Sequence, residues 1–349
     1  MADNLIRIGN DAEDTRLDRK DIRVSLPSKG RIGTESTSFL AECGLTVRQV
    51  NPRQYTAKIP ALPGVTVILQ RPGDIVVSVR DGSVDFGITG LDMVSERQTD
   101  GDGILILHDD LRFSRCQLCA AVPEAWEHVR TTADLTAHAR SLPQPLRVAT
   151  KFPNMTERYL KALDLPFVLI ESEGTLEVAP AIGYADMITD LVSSGQTLRD
   201  NRLRRLDDGV ILQSQAVLIA NRPALQSRPE LLAVACKLLE SIEAHLRAVD
   251  RVAIYANVRG SSPEAIGQKL FEQKTLGGLQ GPTISQVLAR DGNPSWYAVH
   301  IIVRREEIYD AVAELRAIGG SGVVVTPVTY IFEEEPERIR AMMEAVGER

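Results

Sequence analysis

Between Asp190 and Asn201 the sequence reads DLVSSGQTLRDN, a short apolar strand that runs into hydroxyl and glycine residues and then a polar helix start. Such a run has two uses. As a plain strand-to-helix turn, its hydroxyls cap the helix and Gly195 supplies an unusual backbone angle. As a phosphate cradle, its successive backbone N–H groups form a partly positive concavity that holds a phosphate dianion without a lysine. The neighbouring residues have to decide. Upstream, ESEGTLEVAPAIGYADMITD sets Glu171, Glu173, Glu177, Asp186 and Asp190 ahead of the loop. Scattered carboxylates form a solvated face, and Glu171 and Glu173 are read that way. Asp190 differs, because it ends the strand beside the loop. A carboxylate there repels a phosphate unless it binds ribose hydroxyls or a divalent cation. A phosphate nest with a hydroxyl-accepting carboxylate suits a phosphorylated sugar.

A second set of residues lies earlier. LPSKGRIG (26–33) places Lys29, Gly30 and Arg31 at the carboxyl end of a strand, LQRPGD adds Arg71 and Asp74, and GITGLD adds two glycines and Asp92. These basic, glycine-relieved positions are where a second anionic ligand could face the first across a cleft. A lone Arg in a loop, however, is ordinarily a solvated charge. No metal ligands stand out: the histidines at 108, 128, 138, 245 and 300 have no ligand spacing. Cys116 and Cys119 are spaced C-x-x-C, but RCQLCAAV reads as a buried strand and no second ligand pair accompanies it. With Cys43 and Cys236 they are too few for a disulfide framework, which points to a reducing, cytoplasmic setting.

The elements that must position these residues alternate. IRVSLP (22–27) reads as a strand, GTESTSFLAECGL as a helix closed by Gly44, and VDFGITGLDMV (84–94) as a strand entering a helix. This rhythm implies a parallel sheet buried on both faces, with ligands at the carboxyl ends of its strands. It restarts after RCQLCAAVPEAW with LRVATKFP, NMTERYLKALDL, FVLIESEG and ADMITDLVSSG. The expected organisation is a mobile arm over 1–20, a first catalytic lobe over 21–115 to which 205–225 returns, and a second lobe over 116–204 carrying the phosphate loop. From 226 to 349 the texture changes to a long amphipathic helix and then the order β-α-β-β-α-β, a ferredoxin-like, ACT-like α+β domain. That domain has no glycine-rich phosphate loop, so regulation or assembly falls to it. The fold class expected is α/β, a two-lobed periplasmic-binding-protein-like region with this appended domain.

Composition sets outer limits. The chain has 349 residues, 44% of them hydrophobic, and a net charge of −7. It is long enough for two or three cores, and no apolar run approaches the roughly 20 residues that span a bilayer. The acidic start MADNLIRIGNDAEDTRLDRK does not resemble a secretion signal. An acidic balance argues against a nucleic-acid partner, but a local cluster of Arg and backbone amides still binds a small anion.

The sequence resembles the ATP phosphoribosyltransferase family in its long, histidine-regulated form, from about Asp21 to the end. The most specific stretch is EGTLEVAPAIGYADMITDLVSSGQTLRDNRL, close to the family's G-S-x-E-x-A-P and D-L-V-S-T-G-x-T-L signature; LPSKGR, VDFGITGLD, RVATKFPN and VLIANRPAL follow the family's order. The resemblance implies that Ser193, Ser194, Gly195, Gln196 and Thr197 hold the 5-phosphate of phosphoribosyl pyrophosphate, with Glu177 and Asp190 near the ribose. It implies Lys29, Gly30, Arg31, Arg71 and Asp92 for ATP, with Arg31 and Asp190 as the catalytic candidates. Thr175 stands where the family has Ser, Tyr184 where it has Leu, and RPGDIV replaces a more acidic run, which weakens any role for Asp74.

The implied reaction is attack by adenine N1 of ATP on the anomeric carbon, expelling pyrophosphate. N1 has a free lone pair, so alignment and charge neutralisation replace a protein base. Magnesium is expected with the phosphates, its protein ligands unknown, together with histidine as inhibitor and a homo-hexamer. Three rivals remain. A solute-binding module would carry a secretion signal, a silent regulatory subunit would have lost the loop and Arg31, and a phosphoribosyltransferase for another base stays open.

Overall fold

A computed structural model describes residues 19–49, 51, 53–98, 101, 103–172, 174, 176–288 and 295–347. Glu173, Thr175 and most of the expected N-terminal arm lie outside the described residues.

The first lobe is built from β1 (Ile22–Pro27), β2 (Thr56–Lys58), β3 (Val65–Gln70), β4 (Phe86–Gly90) and β5 (Ile104–His108), with helices α1 (Gly30–Glu42), α2 (Pro72–Arg80) and α3 (Leu91–Arg97) between them. β1 lies parallel to both β3 and β4, with Val24 opposite Val67 and Phe86. Val24, Leu26, Val67 and Phe86 are all buried, as a parallel sheet covered by helices on both faces requires. The second lobe uses β6 (Cys116–Pro123), β7 (Leu146–Thr150), β8 (Phe167–Glu171), β9 (Met187–Val192) and β10 (Leu203–Ser214), with α4 (Thr132–Ser141), α5 (Pro153–Ala162) and α6 (Gln196–Asp200). Its strand order is β10-β6-β9-β7-β8.

The chain then returns. β11 (Ala216–Asn221) enters the first sheet between β4 and β5, giving the order β2-β3-β1-β4-β11-β5. The expected return over 205–225 is therefore corrected. Residues up to Ser214 stay in the second lobe, where Leu203 and Val210 pair with Pro123 and Cys119 of β6, and only β11 goes back. Two segments, 109–115 and Ser214–Gln215, join the lobes. They are tied to each other and to the first lobe: Leu111 N donates to Ala216 O at 3.0 Å, Ala216 N to Phe113 O at 3.1 Å, and Leu91 N to Gln215 O at 2.9 Å.

After α7 (Arg222–Ser227), α8 (Pro229–Ala248) carries the chain onward, and the division into two compact units falls within it, at Leu239. The second unit, Glu240–Pro336, holds β12 (Arg251–Arg259), α9 (Pro263–Phe271), β13 (Thr283–Gln286), β14 (Trp296–Arg304), α10 (Ile308–Ala317) and β15 (Gly320–Pro327). Its antiparallel sheet has the order β13-β14-β12-β15. That is the ferredoxin-like arrangement, with Ile254, Val258, Ile301, Ile266 and Leu315 in its core. The expected boundary over 226–349 also needs correction. The last helix, α11 (Glu337–Val346), belongs with the first unit, because its buried Met342 and Val346 pack towards α7 and β5.

Arg19 is anchored, although the arm over 1–20 was expected to be mobile. Its guanidinium meets the buried Asp85 at 2.7 Å, Arg228 reaches the same carboxylate oxygen at 3.2 Å, and Arg23 N donates to the other oxygen at 2.8 Å. Two guanidiniums converging on one buried carboxylate make it costly to remove. Asp85→Ala should lower unfolding free energy by about 3–5 kcal/mol in urea titration, since it removes the buried carboxylate that both largely buried arginines share.

Candidate functional site

Five strand carboxyl ends meet at one cavity of about 740 Å³. The first lobe contributes Arg31 after β1, Arg71 after β3, and Gly90 and Asp92 after β4; the second contributes Lys151 after β7 and Ser193 after β9. Arg97 and Cys116 also line it. The wall is rich in cations, as a polyanion requires.

Arg31 is braced. One Nη donates to the carbonyl of Arg115 at 3.1 Å and Nε lies 3.6 Å from Glu35, whose other oxygen accepts from the Ser114 hydroxyl. The guanidinium, about half exposed, is thus tied to a segment that joins the lobes. Lys29 is the N-cap residue of α1 and Gly30 its first residue, at φ +76°; they shape the turn that presents Arg31 and do not line the cavity.

Asp92 is buried and occupied. The Ser214 hydroxyl donates to Oδ1 at 2.6 Å and accepts from the Asp92 amide at 3.0 Å, so the residue braces α3 against the end of β10. Burial pushes its carboxyl above the usual range, against the pull of Ser214. Gly90 accommodates it, since a Cβ there would stand 2.2 Å from Asp92 Oδ1.

The loop begins where β9 ends. Gly195 has φ +72°, the left-handed region, and forms the N-cap of α6, whose first N–H groups lack intrahelical partners. The Ser194 hydroxyl accepts from Gln196 N at 3.3 Å, while Arg199 reaches Gln196 Oε1 at 2.9 Å. The loop has two sides. Ser193 faces the large cavity, and Ser193, Ser194 and Gly195 line a second one of about 430 Å³ with Glu124, Arg199 and Arg205. Gln196 and Thr197 line neither.

Asp190 lies within β9, two residues before its end, not at the strand terminus expected for it. Burial pushes its carboxyl up, Leu191 N and the charge of Lys151 pull it back, and Glu177 close by adds to the rise. Glu177 sits in a 3-10 turn, Leu176–Val178. Neither acid lines the cavity.

Lys151 was missed, although RVATKFPN was among the recognised segments. The signal was the carboxyl-end rule, which picks out Arg71 after β3 and applies equally to the residue after β7. Three buried hydroxyls hold this strand end: Thr189 to Thr150 at 2.7 Å, Thr156 to Thr189 at 2.6 Å, and Thr150 to Thr156 at 3.1 Å. Thr150 Oγ1 also accepts from Phe152 N at 2.9 Å, which closes the turn around Lys151.

Among the described residues no three His, Cys, Asp or Glu side chains group closely enough to hold a metal ion. Among them, too, no helix is long and apolar enough to cross a membrane.

Two α/β lobes joined by paired segments, with strand carboxyl ends and a glycine loop around a cationic cavity, define a two-lobed protein built to hold anionic ligands in a cleft. The pattern of the family described as ATP phosphoribosyltransferase matches residues 71–244, and that of HisG, C-terminal domain, matches 248–330. ATP phosphoribosyltransferase 2, chloroplastic, of Arabidopsis thaliana is 43% identical over 340 residues, covering 94% of this chain and 81% of that protein. ATP phosphoribosyltransferase of Methanothermobacter thermautotrophicus is 33% identical over 311 residues, covering 89% of this chain and 99% of that protein. Among solved structures, the ATP phosphoribosyl transferase (HisG:HisZ) complex from Thermotoga maritima aligns with a TM-score of 0.50 at 24% identity, over 64% of this chain and 98% of that chain; it speaks for the fold. The chain belongs to the ATP phosphoribosyltransferase family.

Lys151→Met should weaken binding of inorganic pyrophosphate by about 10–100-fold in calorimetric titration while the melting temperature stays near wild type, because it removes an exposed cation from the cavity wall.

Proposed function

We propose that the cavity between the two lobes is where this chain carries out phosphoribosyl transfer. As a member of its family the chain is an ATP phosphoribosyltransferase, acting at the first step of histidine biosynthesis. Adenine N1 of ATP attacks the anomeric carbon of phosphoribosyl pyrophosphate. A C–N bond forms, the C–O bond to pyrophosphate breaks, and pyrophosphate leaves with the electron pair. N1 needs no activation, so the protein's part is alignment and charge stabilisation. The observation that carries the reading is the meeting of five strand ends, basic on both lobes, at one cavity.

In this reading the backbone N–H groups of Ser193 to Thr197 hold the 5-phosphate, and Glu177 and Asp190 accept from the ribose hydroxyls. Arg31 and Arg71 from one side and Lys151 from the other draw off the charge that develops on pyrophosphate. Lys29 and Gly30 act through the turn that presents Arg31. Asp92 is assigned to bracing rather than to ATP, since its carboxylate is taken by Ser214.

A divalent ion, magnesium in this proposal, would when bound supply counter-charge to pyrophosphate. Without a close group of three donors among the described residues, the ion would come with the substrates' phosphates. The ferredoxin-like unit is assigned histidine binding and feedback inhibition, and the assembly is proposed to be a homo-hexamer. The free thiols of Cys43, Cys116 and Cys119 support a reducing compartment, the cytoplasm in this reading.

Mixing the protein with ATP, phosphoribosyl pyrophosphate and magnesium should produce the absorbance of an N1-substituted adenine, and added histidine should suppress it. No turnover would remove the reading. Gly195→Val forces a β-branched residue into a left-handed backbone and brings a Cβ within 3.3 Å of Arg199 Nη1. It should raise KM for the phosphoribosyl donor or abolish turnover, with the circular dichroism spectrum retained.

The proposed role of Asp190 requires its carboxylate, and burial holds its pKa above the ordinary aspartate range. As pH falls it therefore gains its proton before an ordinary carboxylate does, so the acid limb of kcat/KM should begin at a higher pH than an ordinary aspartate would give. Asp190→Asn should lower activity and flatten that limb in a pH–rate profile.

A further inference from the structure

Glu96 lies near the end of α3 in the first lobe, yet its carboxylate serves the second. Oε1 accepts from Asn154 N at 2.9 Å and Oε2 from Met155 N at 3.0 Å. The Asn154 amide returns to the carbonyl of Glu96 at 3.0 Å, and Arg158 donates to the carbonyl of Ser95 at 3.0 Å. Glu96 is only 6% exposed. Its two partners belong to the first turn of α5, where N–H groups have no intrahelical acceptor and the helix dipole favours an anion. Phe152, at the N-cap position, supplies no side-chain cap. The other lobe supplies it instead.

The bridge is distinct from the joining segments 109–115 and Ser214–Gln215. It also touches the cavity wall at both ends: Arg97 follows Glu96, and Phe152, the cap position of α5, follows Lys151. Parting the lobes breaks two charge-assisted hydrogen bonds at once and returns a buried carboxylate and two amides to water. We propose that Glu96 is an interlobe latch, a positioning residue that holds the cleft closed by capping α5 across it. Without the latch the closed fraction falls, and a ligand that needs both lobes binds more weakly by that fraction.

The exchange part of the test is independent of the transfer reaction; its kinetic part rests on that reading. Hydrogen exchange of the full chain should be compared for wild type, Glu96→Gln and Glu96→Ala. In Glu96→Ala the amides of 153–158 and those of the joining segment 109–115 should both exchange faster, and saturating ATP with phosphoribosyl pyrophosphate should slow both again. KM for the phosphoribosyl donor should rise about tenfold with kcat within about threefold. Glu96→Gln keeps an acceptor but loses the charge, should fall between, and carries the test alone if the alanine variant does not fold. Faster exchange confined to Asn154 and Met155 with KM unchanged would make Glu96 a local cap and overturn the proposal, as would no change at all. A wild-type chain without transferase activity would sink the transfer reading and leave the exchange comparison to decide the latch.

Discussion

Everything at the site depends on how the two lobes are joined. The chain crosses between them at 109–115 and at Ser214–Gln215, and the two crossings are hydrogen-bonded to each other through Ala216. Side chains on the cavity wall are secured to the same place: Arg31 through the carbonyl of Arg115, Asp92 through Ser214. A cation tied to a joining segment stays registered to the opposite lobe, which a cation on a free loop does not. The cavity is therefore set by a few backbone bonds near the crossings, and the sheets serve to bring their strand ends there.

The charge distribution follows a consistent order. Cations line the cavity and backbone dipoles form the loop, while acids are either absent from the lining, as Asp190 and Glu177 are, or occupied, as Asp92 and Glu96 are. A free carboxylate on the wall would cancel part of the field that draws in a polyanion. Burying it instead raises its pKa, as at Asp190 and Asp92, against the pull of their hydrogen-bond donors. Those donors are Leu191 N for Asp190 and the Ser214 hydroxyl for Asp92.

Much of this was legible in the sequence because it is local. The strand–helix alternation, the ferredoxin-like order and the loop after β9 each rest on a handful of adjacent residues. Arg31, Arg71 and Ser193 were legible too, because the carboxyl-end rule needs only a strand boundary. What escaped depends on contacts between distant residues. Asp92 looked like a ligand candidate because Ser214, 122 positions away, is invisible in its own neighbourhood. Whether β10 stays in the second lobe turns on its pairing with β6, and no periodicity reveals which sheet a strand joins. The placement of α11 turns on two buried residues, Met342 and Val346, whose partners precede them by more than a hundred positions. Lys151 is different: its signal is local, one residue past the end of β7, where the carboxyl-end rule applies as it does to Arg71 after β3.

The chemistry explains why so little of the machinery looks catalytic in the ordinary sense. A nucleophile that arrives with its lone pair free needs no base, and a leaving group that is already a good anion needs counter-charge more than a proton donor. What remains to be supplied is position: two large anionic reactants must meet with N1, the anomeric carbon and the departing oxygen in line. A single rigid lobe could hold one of them well. Two lobes can hold one each and bring them together, provided the closed arrangement is favoured strongly enough to set the approach and weakly enough to release product. On that argument the groups that govern the rate include those that govern closure. A buried glutamate capping a helix across the cleft, itself off the cavity lining, then bears on donor binding, and so on kcat/KM, alongside an arginine on the cavity wall.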